Sequence, residues 1–204
     1  AVDYILEKSS NFDNNKDDLK IVSEQVLQEA RKAWAVKRDK AGDIGTEVHR
    51  VIEEYVKSCI AGKPQFTLSP EPQANKMALR FKDWAEENQV KFLLSEQQVY
   101  SEKYWYAGTV DLLVEIKGKK YIADIKTARD IYYTNYIQMA GYHIALEELG
   151  KVKDLAGYIV INLPKELKKD GTAKFKEKRL TNTEDFKKAF LNCLELYRFI
   201  NKVK

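Results

Sequence analysis

Apolar positions along the chain switch from a helical period to a strand period and back. From Leu19 to about Lys40, Ile21, Val22, Val26, Leu27, Ala30, Ala33 and Trp34 recur at helical spacing, which predicts a helix. Gly42 and Gly45 interrupt it. A second helix is expected from about Thr46 to Ile60, with Val48, Ile52, Tyr55, Val56 and Cys59 on its apolar face and Gly62 and Pro64 beyond its end. Glu71 to Gln89 reads as a third, carrying Met77, Leu79, Phe81 and Trp84.

The texture then changes. Val90 to Tyr100 and Trp105 to Ile116 are rich in β-branched and aromatic residues, and Lys117-Gly118-Lys119 is a turn signal. Val110–Ile116 and Tyr121–Thr127 should therefore form a β-hairpin. Helical spacing returns from about Tyr132 to Leu149, and Gly150 supplies the stop. Ala156–Leu163 is nearly all apolar, as in a central strand buried on both faces. Phe175–Leu180 suits an edge strand, and Thr181 with Glu184 makes a capping-box pattern opening an amphipathic C-terminal helix. Helices, then a sheet with an inserted helix, then a final helix describe one mixed α/β domain, here drawn as 21–204 behind a polar N-terminal arm, 1–20.

Composition narrows this picture modestly. With 44% hydrophobic and 32% charged residues in 204, the chain can bury a real core under a charged surface. No apolar run is long enough to cross a bilayer and no signal peptide is evident, so a cytoplasmic location without membrane contact is expected. Cys59 and Cys193 lack any paired spacing and read as buried small hydrophobes on helices. They cannot supply a four-thiolate iron–sulfur cluster. The net charge of +4 permits a polyanion partner without demanding one. Lys165–Arg179 holds more than twice as many basic as acidic residues, which suits either a solvated hairpin or a phosphate-facing edge.

One cluster points to chemistry. On a strand, Asp124 and Lys126 share a face while Ile125 points to the other. Alone, such a triplet is common and is better explained by a salt-bridged sheet edge. The hairpin brings Asp111, thirteen residues earlier, beside Asp124. Two adjacent carboxylates repel unless a cation lies between them, and hard oxygen ligands suit Mg²⁺ or Mn²⁺. Trp105 and Tyr106 could stack on bases, although strand aromatics more often fill a core.

With Asp111 in GTVD, Asp124-Ile125-Lys126 and Gln138-x-x-x-Tyr142 in that order, the chain resembles the PD-(D/E)XK nuclease superfamily. Gly45-x-x-x-His49 upstream is similar to its RecB-like branch. Val110 stands where the superfamily pattern has proline, a departure that branch commonly allows. The likeness runs from Gly45 to Tyr142, roughly half the chain. It implies a restriction-endonuclease-like fold, a central mixed β-sheet flanked by helices. It also implies a Mg²⁺- or Mn²⁺-dependent deoxyribonuclease with one or two ions. His49, Asp111, Asp124 and the Ile125 carbonyl would be ligands, and Asp111, Asp124 and Lys126 the catalytic set. Gln138 and Tyr142 would contact DNA or hold Lys126, with Glu53 and Glu96 as secondary candidates.

Without a GxxxxGK[ST] loop no ATP is expected. What remains is similar to stand-alone recombination exonucleases of phages and prophages, implying DNA as partner and allowing a homo-oligomer or a single-strand annealing or other recombination partner. An endonuclease of the same fold, and a non-catalytic nucleic-acid-binding protein that retains it, are the competing expectations.

Overall fold

A computed structural model describes residues 43–201, and the fold below is that of the unit Ile44–Lys204. The expected arm and the expected helix from Leu19 to Lys40 lie outside the described residues. The elements are α1 (43–60), α2 (Pro72–Glu87), β1 (Lys91–Ser101), β2 (Tyr106–Ile116), β3 (Lys119–Lys126), α3 (Tyr133–Glu148), β4 (Leu155–Asn162), β5 (Lys176–Leu180) and α4 (Thr183–Asn201).

The strands form one five-stranded sheet in the order β1-β2-β3-β4-β5. Only the β3–β4 pair is parallel, because α3 carries the chain across between them; the other pairs are antiparallel. Alternation along the strands then divides the core. Leu112, Val114, Ala123, Ile125, Ile159 and Ile161 face α1 and α2, packing on Val48, Ile52, Met77, Phe81 and Trp84. Leu113, Ile122, Tyr158 and Val160 face α3, where Tyr136, Met139, Ala140 and Leu146 meet them, with Phe186 and Phe190 of α4 behind. Helices on both faces of the sheet make the mixed α/β fold that the residue pattern predicts, and β4 is buried on both sides as its sequence requires.

Two helix starts differ from expectation, each for a local reason. α1 begins before Gly45 rather than after it. The glycine lies inside the first turns, where a Cβ would stand 2.8 Å from Thr127 Oγ1, so it serves close packing and not a break. α4 begins at Thr183: Thr183 N–H closes a turn on the Thr181 carbonyl, and Asn182 bonds Asp185 in the first turn. Cys193 is exposed and Cys59 only half-buried, so neither is the buried apolar residue expected of them. α4 is amphipathic over its first turns, yet near its end Tyr197, Phe199 and Ile200 are exposed.

The basic segment is partly anchored. Ala173 is buried, and Leu167 and Phe175 pack against the α1–α2 core, while the Lys165 carbonyl accepts a hydrogen bond from Gln73. No helix among the described residues is long and apolar enough to cross a membrane.

Candidate metal and phosphodiester site

The turn between β2 and β3 sets the register of the site. Lys117 and Gly118 take φ of 50° and 74°, and Ile116 pairs with Lys119 across them. Two consecutive left-handed residues are what a two-residue hairpin turn needs to follow strand twist. The pairing runs on to Leu112 and Ala123, so one step further Asp111 and Asp124 stand opposite each other. Across β1, Ser95↔Leu112 and Gln97↔Val110 bracket Glu96 and Asp111 in the same way. Glu96, Asp111 and Asp124 thus lie close together on three neighbouring strands, near enough for Asp111 to act on the other two.

Asp124 is 1% exposed. Burial, and then the charge of Asp111, push its carboxyl up to about 7, against the pull of Lys126. Lys126 Nζ donates to Asp124 Oδ1 at 3.0 Å. It also lies 2.8 Å from Oδ2, an ion-pair contact without hydrogen-bond geometry that leaves Oδ2 buried and lacking a donor. Asp111 Oδ2 accepts the Ile125 N–H at 2.9 Å. Burial and then the charges of Asp111 and Glu53 raise Glu96, with Lys57 opposing them.

α1 delivers His49. The Gly45–Thr127 contact seats the first turns of α1 against the end of β3, with Lys165 also close by. One turn later His49 reaches the Ile125 carbonyl, to which its ring donates, and senses Asp111, Lys126 and Glu53. Burial holds it below the ordinary imidazole range, and Asp111 opposes that shift. Glu53 both pairs with Lys57 on the surface of α1 and contributes charge to this cluster.

From the other side of the sheet, α3 brings Gln138 and Tyr142 on one face. Lys126 Nζ donates to Gln138 Oε1 at 3.3 Å, and Gln138 Nε2 donates to the Tyr142 hydroxyl at 2.6 Å. The Tyr142 ring lies on the β2 backbone at Gly108, where a Cβ would come within 2.6 Å of the ring. Gly108, Tyr142, Gln138, Lys126 and Asp124 form a continuous chain of contacts.

The structure thus brings together every residue expected from the motifs. It does so without a ready cage: among the described residues, no three His, Cys, Asp or Glu side chains converge as metal ligands. The Lys126 ammonium lies beside Asp124 as its counter-charge. Two carboxylates, a backbone carbonyl and an imidazole are nevertheless a donor set that hard divalent cations accept. The donorless Asp124 Oδ2 fits such an ion, on the condition that Lys126 leaves Asp124.

Sequence reasoning missed Asn162. It ends β4, pairs with Lys126 across the parallel ladder, and is fully buried with neither Oδ1 nor Nδ2 bonded. The available signal was a lone amide closing the apolar run AGYIVIN. Trp105 is exposed at the β1–β2 loop, whereas Tyr106 donates to the Gly141 carbonyl and packs on Phe190.

No family model and no curated protein matches the chain. Among the solved structures that resemble it are two distant ones. One is a provisionally assigned exonuclease from Eubacterium rectale, at TM-score 0.49 and 12% identity, over 75% of this chain and 64% of that one. The other is named SSO0001, at TM-score 0.33 and 14% identity, over 76% of this chain and 73% of that one. This chain therefore spans under two thirds of the exonuclease's length. Neither likeness bears on function, which is argued from the site.

Proposed function

We propose that the chain is a Mg²⁺- or Mn²⁺-dependent deoxyribonuclease of the PD-(D/E)XK type, RecB-like branch, acting as an exonuclease. The observation that carries this reading is a buried Asp124, its Oδ2 without a donor, close to the charge of Asp111 and beside a lysine tethered by Gln138. In this reading Asp111, Asp124, the Ile125 carbonyl and His49 hold the ion, and Glu96 and Glu53 lie close enough to tune it. A bound divalent cation lowers the pKa of a coordinated water and absorbs charge developing on phosphate oxygens. Lys126 provides a point charge at the scissile phosphate or orients the attacking water. The Gln138–Tyr142 pair limits where that ammonium can go, which favours one geometry of attack. Exonuclease action, and a role in phage-type recombination or DNA repair, extend this reading through the family resemblance.

Purified protein should degrade DNA when Mg²⁺ is supplied and stop when it is chelated. Asp124→Ala and Lys126→Ala should each lower the rate by at least about a hundredfold while the circular dichroism spectrum stays unchanged. Full activity in either folded variant rejects the assignment. The direct engagement of Asp124 by Lys126 also suits a non-catalytic nucleic-acid binder. That protein would retain DNA on a filter and leave its length unchanged in the same assay.

A further inference from the structure

Asn162 is a buried amide with no partner on either polar atom. Such a group gives up its hydration with no bond in return, so it is an unusual residue to close an otherwise apolar strand. Its position limits what it can serve. Lys126 and Asn162 are register partners on adjacent parallel strands, and alternation along β4 puts Asn162 on the face of Tyr158 and Val160, the α3 face. Lys126 reaches Gln138 of α3 from that same face. The nearest row of the sheet therefore holds a lysine with three N–H donors and a carboxamide oxygen with no donor.

The Lys126 ammonium now neutralises Asp124. When Asp124 turns its oxygens to a divalent cation, that attraction is replaced by repulsion between two positive charges at close range. Lys126 must then move within a part-buried site, and an ammonium drawn toward the buried end of β4 needs acceptors there. Gln138 Oε1 keeps one N–H. We propose that Asn162 is the second seat of Lys126: its Oδ1 accepts the ammonium when Asp124 is given over to the metal. Asn162 is a positioning residue on this account, acting through Lys126. The inference rests on the metal-site reading above and assigns a role to a residue that reading does not use.

Asn162→Val and Asn162→Thr test it, since the two side chains share shape and suit a strand but only threonine offers an oxygen. Mn²⁺ affinity is read by calorimetry on the full chain, without DNA, and melting is followed in parallel. The valine variant should melt no lower than wild type without metal and bind Mn²⁺ about tenfold more weakly. The threonine variant should stay close to wild type. In a Lys126→Met background, the valine substitution should no longer change Mn²⁺ affinity. Unchanged affinity in Asn162→Val, equal losses in both variants, or a loss that persists without Lys126 overturns the proposal. If the valine variant is poorly folded, the threonine variant decides, since a tenfold loss there contradicts the role. Failure of wild type to bind Mn²⁺ removes the metal-site reading itself, an outcome distinct from the others.

Discussion

Asp124 shows at a single residue how a fold stores an unfavourable charge. Its carboxyl titrates near 7 against 3.8 for an ordinary aspartate, chiefly through burial and then through Asp111. The metal-free folded state therefore binds more protons than the unfolded chain between about pH 4 and 7. This group's contribution to stability is full below the lower value and is lost as pH rises through the upper one. We expect metal-free Asp124→Asn to melt level with wild type near pH 4 and roughly 5 °C above it at pH 8. A difference that shrinks as pH rises would show that Asp124 is not held in this state. The 3.0 Å bond from Lys126 does not offset the cost, because desolvation and Asp111 act together against it.

At the scale of elements, the site depends on two close approaches that only glycine allows. Gly45 lets α1 meet the end of β3, and Gly108 lets the α3 ring of Tyr142 lie on β2. Gly108→Ala should displace that ring, loosen Gln138 and lower kcat for DNA by about tenfold, with little change in KM. If Gly108 acts through the ring, adding Gly108→Ala to Tyr142→Ala should cost nothing further. Additive losses in that cycle, read as kcat, would place the glycine's role elsewhere. The hairpin and the central strand were legible in the chain, because Lys-Gly turn chemistry and a continuous apolar run each have one good solution. The start of α1 was not, because a glycine signals a break and a close contact with the same letter.

Across the whole molecule, helices on opposite faces of one sheet converge on the C-terminal end of β3, where α1 supplies His49 and α3 supplies Gln138. A cation bound there should stabilise the folded state by mass action. Mg²⁺ should raise the melting temperature of wild type, and raise it more at pH 8 than at pH 5, since protons compete for Asp124. An equal rise at both pH values, measured by scanning calorimetry, would place the ion away from this carboxylate. Side-by-side digestion of linear single-stranded, linear duplex and closed circular DNA addresses the exonuclease reading, for which closed circles should survive.

The residue pattern by itself determined the mixed α/β fold, the pairing of Asp111 with Asp124 and the shared face of Asp124 and Lys126. These follow from local periods and from one short turn, which act over a few residues and leave a signature in the letters. Tertiary structure alone decided that Lys126 lies on Asp124, that Gln138 bonds Lys126 while Tyr142 holds Gln138, that Glu96 feels the charge of Asp111, and that Asn162 stands unpaired at its side. Those facts depend on strand order, on parallel register across α3 and on which groups lose their water. Neither the β3–β4 pairing nor the burial of an amide at its end is written in any one stretch of chain.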